Sequence, residues 1–433
     1  MVDPILNGQK TIGRRWPWGI VGGIGALIHF GTALLRLSTF FPYPRLVDFA
    51  AFYAGAWAIR MGISPYAWSP TFVERLRVKT GLPVRPPTPY NPPIWLWLLQ
   101  PLTFFSFPVA TVVWLLFVLA FLAWSAMALI HLAGYQEWKH RGAAFLLVLT
   151  FGPTFLDLTL GQNSFFLLAT VLVIGQVLRS AAKSTCLSAA LAGGLAVGTK
   201  LFPLIWLGAL PLLRRWRLFV STILVVLLVL SLPILLLAPA ASKSYWLDVL
   251  PQRVVSASEK VGLDDQSLVA WLDRLGRPQT FQVPGLSVTQ RHTVAWSPPW
   301  SVAPLLIRLV GYSLVTLLAL VPIIVLLRAS SAELVLSPGE AAEGAFYLWV
   351  LYGLTVFPHT ERYNHVLLLP AMAWLWGRGD RERKLVILAY FLVGLSRLNH
   401  LWAILLPAPW GPLASGFGLY AILLLGGGMA ISL

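Results

Sequence analysis

Four polar stations interrupt an otherwise apolar chain: Asp48 in "FPYPRLVDFAAFYAGAWAIRMGISPYAW", the Gly-Gln-Asn triplet at 161–163, Lys200 in "LAGGLAVGTKLFPLIWLGALPLL", and the run "FPHTERYNH" at 357–365. A carboxylate beside an apolar run can do acid-base work, or it can sit at a helix start, where free N–H groups and the dipole favour an anion. A lysine within a membrane can hold an anion or snorkel to the surface. Gln162 and Asn163 can bind polar ligand groups or cap the next helix. Ionisable groups at membrane depth are costly, so convergence of these stations on one face is what makes a site.

The elements that must position them are membrane helices. Of 433 residues, 58% are hydrophobic and 11% charged, where a soluble domain carries about a quarter charged residues. The apolar runs suit helices crossing a hydrocarbon core of about 30 Å. The net charge of +16 is scattered through short loops, "RR", "KHR", "RRWR" and "RGDRERK". That scatter follows the positive-inside rule and carries no nucleic-acid signal. The single cysteine, Cys186, excludes a disulfide framework and a cysteine-rich metal site.

With Lys10, Arg14 and Arg15 inside, the first span (about 16 to 36) reads as an uncleaved signal anchor that delivers residues 38–108 outside. This outer loop is expected to hold two short helices and an interfacial helix, "YNPPIWLWLLQPLTFF". The later spans are expected at 109–133, 143–160, 164–179, 186–200, 202–213, 218–240, 300–328, 344–357, 365–376, 384–402 and 413–432, with a second large outer loop at 241–299. All four stations then lie on the outer side. The pair flanking Lys200 reads as half-helices, tolerated at membrane depth only where they line a cavity. The chain reads as one domain over 1–433, an all-α polytopic bundle. "GGIG" (22–25) lies inside a span and is no phosphate loop. Asp264 and Asp265 are adjacent on one turn and point apart, so no metal site is expected.

Five stretches, in order, resemble the polyprenol-phosphate-mannose-dependent mannosyltransferases, glycosyltransferase family 87, within the C-type membrane glycosyltransferases. They are "DFAAFYAGAWAIRMGISPY", "YNPPIWLWLLQPL", "LGQNSFFLLATVLVIGQVLRS" with "AGGLAVGTKLFPLIWLGALPLLRRWR", "DDQSLVAWLDRL" and "FPHTERYNHVLLLPAMAWL". The sequence departs from the pattern at Asp264–Asp265, where the family usually offers asparagine, and at Tyr363–Asn364–His365, which leaves the essential histidine open between His359 and His365.

The resemblance implies a bundle of about 11 to 13 helices crossing the bilayer, a lipid-linked sugar donor, and an inverting displacement without metal or other cofactor. A sugar phosphate is already activated, so the enzyme needs a base for the acceptor hydroxyl and cations for the departing phosphate. On that reading Asp48 is the base and His359 or His365 supports it or the phosphate. Lys200 and Arg362 face the phosphate, and Tyr53, Tyr66, Tyr90, Asn91, Gln162, Asn163, Asp265, Gln266, Glu361 and Asn364 face sugar or acceptor. The implied partners are a polyprenyl-phosphate sugar, a lipid or glycan acceptor and membrane lipids, at the outer face of a bacterial inner membrane. The competing readings are a relative using arabinose or glucose, and a transporter or flippase of a lipid-linked sugar.

Overall fold

The computed structural model describes residues 16–37, 46–82, 86–180, 186–252, 263–284, 291–297, 302–329, 336–357 and 360–433. Helices dominate, as the composition predicts. The first nine are α1 (Trp16–Leu37), α2 (Val47–Arg60), α3 (Pro70–Thr80), α4 (Pro93–Leu98), α5 (Phe107–Leu132), α6 (Trp138–Thr150), α7 (Gly152–Leu160), α8 (Ser164–Ser180) and α9 (Cys186–Thr199). The protein is an all-α polytopic membrane bundle.

Four helical segments among the described residues are long and apolar enough to cross a bilayer: Pro17–Leu35, Phe107–Leu132, Trp216–Leu237 and Leu305–Ala329. Two further helix pairs pass the same test only when each is taken together, and both are bent: α6 with α7, by 54°, and Asp380–Ser396 with Asn399–Leu405, by 64°. The sequence reading drew 143–160 and 384–402 each as one span, and each is bent at a break between two helices. At the first break Pro153 follows Gly152, and the Gly152 N–H donates to His29 Nδ1 of α1 at 2.9 Å, so a neighbouring helix serves the freed backbone group. Length and apolarity alone thus pick out four to six spans, fewer than the 11 to 13 helices implied at first, because the other apolar helices are short and packed inside.

The interior is built around Pro338–Val356, which is buried along nearly its whole length and packs on α8 and on Phe417–Ser432. α9 lies against Trp216–Leu232 through a small-residue face. A Cβ on Gly193 would come within 2.9 Å of Thr222 Cγ2, so close helix approach depends on glycine there. α4, six residues long and followed by a 3-10 turn at Gln100–Phe104, is too short to cross. It takes the place predicted for the interfacial helix.

The second large loop contains structure the all-α expectation did not include. Gln279–Pro284 and Arg291–Trp296 form an antiparallel hairpin. Phe281 and Trp296 pack with Leu263 and Ala403 in a small core of their own, and alternation of side chains across the strands is what allows this.

Candidate active site

Asp48 stands in the first turn of α2. It is not the cap. That position is Leu46, buried and held at φ 34°, a backbone region leucine seldom adopts. The Asp48 carboxylate instead receives a hydrogen bond from Gln162 Nε2, 2.8 Å to Oδ2.

The α7–α8 turn brings Gln162 there. Gly161 has φ 71°, and a Cβ on it would fall 2.7 Å from Phe49 Cβ and 3.1 Å from Leu46 Cβ. Only glycine lets the turn lie flat on the start of α2. Trp114 Nε1 clamps the turn by donating to the Gly161 carbonyl at 3.0 Å. Asn163 is buried beside it, but the start of α8 is served by Asp157 Oδ1, which accepts from Ser164 N at 3.3 Å. Burial pushes the Asp48 carboxyl above the ordinary carboxylate range, while the Gln162 hydrogen bond and the Lys200 charge work against the rise.

Asp48, Gln162 and Lys200 line one cavity of about 330 Å³ together with Tyr90, Asn91, Tyr245, Glu361, Tyr363 and Asn364. Lys200 follows the last residue of α9, before the short helices Leu204–Leu207 and Ala209–Leu212. These are the broken helices predicted around it. Its ammonium lies 4.7 Å from the centre of the Tyr363 ring and makes no hydrogen bond among the described residues. Its electrostatic neighbours are Asp157, Asp48 and Glu361. Asn91 Nδ2 donates to the Thr199 carbonyl at 2.8 Å, and its own carbonyl accepts from Tyr66 Oη at 2.8 Å, so the first loop is tied to the end of α9.

Two extended segments close the far wall. Asp265 pairs with Glu361 in an antiparallel bridge, and Gln266 N donates to the Thr360 carbonyl at 2.7 Å. Glu361 turns into the cavity. Burial first, then the Asp48, Asp264 and Asp265 charges, push its carboxyl up to about 7 against the opposing effect of Lys200.

Arg362 turns the other way. It pairs with Asp264 and donates to the Ser396 and Arg397 carbonyls at 3.0 and 3.3 Å, so the structure assigns it to holding this wall and not to the cavity lining. Burial alone would raise the Asp264 carboxyl, but the Arg362 and His400 charges outweigh it and hold it below the usual range.

The remaining sequence-predicted residues are not brought together in the same way. Asp265 Oδ1 accepts from Ser267 N at 2.9 Å and so serves its own turn. Gln266 and His365 are buried behind the wall, both against Gly418, and neither lines the cavity. His359 lies outside the described residues. Tyr53 is buried on another face of α2 and donates to the Phe105 carbonyl at 2.8 Å. Tyr66 meets Tyr245 ring to ring in a tilted contact, 5.5 Å between centroids, and Tyr90, which lines the cavity, is half exposed at its mouth.

Two residues escaped the sequence reading. Asp157 is fully buried in α7 near Lys200, and its one sequence signal was a carboxylate inside the apolar stretch "FGPTFLDLTL". Tyr245 was hidden among the many aromatics of the chain.

Arranged so, the cavity offers a carboxylate held by a neutral amide, a nearby ammonium and a second carboxylate, a set able to take a proton from a hydroxyl beside a bound anion. Neither the curated proteins nor the solved structures include a match to this chain. The family model described as glycosyltransferase family 87 matches residues 90–335, more than half of the chain and including Gln162 and Lys200. The membrane bundle, the cavity and this match lead to one conclusion: the chain belongs to glycosyltransferase family 87 and is a membrane glycosyltransferase.

Proposed function

We propose that the enzyme moves a hexose, mannose in the first instance, from a polyprenyl-phosphate carrier to a hydroxyl of a lipid or glycan acceptor, with inversion and without a metal or other cofactor. The observation that carries this reading is Asp48 and Lys200 lining one cavity, with Gln162 hydrogen-bonded to Asp48. Asp48 takes the acceptor proton as the acceptor oxygen bonds to the sugar's anomeric carbon. The bond from that carbon to the phosphate oxygen breaks, and its electron pair leaves on the phosphate beside Lys200. The general-base role requires an ionised Asp48, which the start of α2, the Gln162 amide and Lys200 favour.

An apolar hollow of about 350 Å³ lies next to the site, lined by Trp95, Leu98, Phe117 and Leu195 and reaching Thr199, the neighbour of Lys200. It supports a donor whose phosphate meets Lys200 while its chain stays in apolar surroundings. The basic loops gather at the other end of the bundle, where Arg215 donates to the Leu178 carbonyl and Arg378 pairs with Glu340. That distribution supports a site at the outer face of a bacterial inner membrane.

The test is transfer of labelled mannose from decaprenyl- or undecaprenyl-phosphate mannose into a total lipid extract by wild type and Asp48→Asn. The variant is expected to keep donor binding and to lose transfer by about 10²- to 10⁴-fold. Equal transfer by both proteins removes Asp48 from the chemistry. Donor binding without mannose transfer by wild type, together with transfer of arabinose or glucose from their lipid phosphates, replaces the sugar assignment.

A further inference from the structure

The charges of the cavity do not balance for an anionic donor. Among its described lining residues Asp48 and Glu361 are the carboxylates and Lys200 is the cation. Arg362, the guanidinium next in sequence to Glu361, is buried and spent on Asp264 and the carbonyls of Ser396 and Arg397. With both carboxylates ionised, these lining side chains carry one net negative charge. A phosphodiester adds another, in a site where two carboxylates already share one ammonium. Like charges crowded in a poorly solvated site drive one of them to take up a proton. Asp48 is the wrong one to choose, because Gln162 donates to it and a donor N–H stabilises the ionised form. Glu361 has no side-chain amide or hydroxyl hydrogen-bonded to its carboxylate among the described contacts.

We infer that Glu361 is the proton-holding partner of the donor: the phosphodiester binds together with one proton, which resides on Glu361, and the resulting neutral acid donates a hydrogen bond to the bound donor while Asp48 remains the base. The inference rests on the donor reading above and adds to it a role for a second carboxylate. The groups facing Glu361 are Asp48 from α2, Lys200 after α9, and Asp264 and Asp265 from the paired segment. Arg362 holds Asp264, and Asp265 is bound to Ser267 N, which leaves Asp48 and Lys200 as the partners inside the cavity. A carboxyl already displaced to about 7 needs little further push to stay protonated at neutral pH. A bound anion supplies that push in the required direction, since a negative charge favours the neutral form.

The experiment is calorimetric binding of a short-chain polyprenyl phosphomannose to the full-length protein in detergent, near pH 8, in buffers of different ionisation enthalpy. The diester has no group titrating near neutrality, so proton uptake reports the protein. Wild type is expected to take up roughly one proton per donor and to lose affinity by about tenfold per pH unit above the Glu361 pKa. Glu361→Gln, a permanent neutral donor of similar shape, is expected to bind with no uptake and with affinity independent of pH. Wild-type binding without proton uptake overturns the inference and leaves the donor reading intact, and so does an undiminished uptake in Glu361→Gln. A protein that binds no polyprenyl phosphomannose overturns the donor reading and this inference together.

Discussion

As the proposed base, Asp48 would work or fail by its ionisation, and Gln162 is the side chain hydrogen-bonded to it. Burial disfavours the carboxylate and the Gln162 amide favours it, so the amide is an electrostatic support for the base as well as a link between α2 and the α7–α8 turn. The sign follows. An unprotonated base is needed, so kcat/KM rises with pH through the Asp48 pKa. Gln162→Ala removes a donor to the ionised form and must move that acidic limb to higher pH. Gln162→Glu moves it further the same way by adding a like charge. A pH–rate profile of the three proteins checks this, and an unshifted limb in Gln162→Ala would mean that the amide does not touch the base in the working enzyme. Asp48 and Lys200 were legible as isolated charges because the surrounding sequence is so apolar. The Asp48–Gln162 contact was not, since the two stand 114 positions apart and meet only through a turn whose geometry no local pattern specifies. Arg362 shows the reverse: its type suited a phosphate, but its direction was decided by Asp264 and two carbonyls at the end of Asp380–Ser396.

At the level of elements, the site is placed by helix ends and breaks. α2 begins at it, α7 and α8 turn at it, α9 ends at it, and Pro338–Val356 runs toward it. The prolines and glycines that break these helices were visible in the sequence, so the half-helices at Lys200 and the short outer-loop helices could be anticipated. The 54° bend between α6 and α7 has the same kind of mark in Gly152–Pro153, but its partner, His29 of α1 accepting the Gly152 N–H, lies 123 positions away. The hairpin at Gln279–Trp296 was hidden for a similar reason: its apolar residues pack on Leu263 and Ala403, which are distant in sequence. Gly161 tests this layer. Its φ of 71° and its approach to Phe49 predict that Gly161→Ala costs about 1–2 kcal/mol from backbone conformation alone, with the 2.7 Å contact to Phe49 Cβ added. Gly62 provides the control, with φ 70° and nothing within 4 Å of a Cβ. Gly62→Ala is expected to lower the melting temperature slightly and leave transfer near wild type. Gly161→Ala should lower it more and reduce transfer by about 10²-fold, the scale set by roughly 1 Å misplacement of reacting groups. Equal losses in the two variants would show that the close approach at Gly161 does not position Gln162.

Across the whole molecule, polarity is divided between two ends. One end holds the cavity, with Asp48, Lys200 and Glu361 meeting around it. At the other, Arg179 pairs with Glu340 at 3.1 Å and Glu343 at 3.5 Å, Arg378 reaches Glu340, Arg215 reaches the Leu178 carbonyl, and Tyr135 lies 6.4 Å from the Trp376 ring. The end of α8, the loop after α5 and the segments before Trp216–Leu232 and Asp380–Ser396 therefore gather in one basic layer. Positive charge in short loops is retained on the cytoplasmic side, and on that rule the proposed orientation has this layer facing the cytoplasm and the cavity opening outward. The consequence can be read in intact cells. Cys186 is the chain's one cysteine, and replacing it by serine gives a background for two reporters, Tyr90→Cys at the cavity mouth, 51% exposed, and Trp138→Cys in the basic layer, 77% exposed. An impermeant maleimide is expected to label the Tyr90→Cys protein in whole cells and the Trp138→Cys protein only after lysis. The inverse pattern would put the cavity on the cytoplasmic side, where the charge rule would have to fail for every one of these loops at once and the acceptor would have to be sought among cytoplasmic molecules.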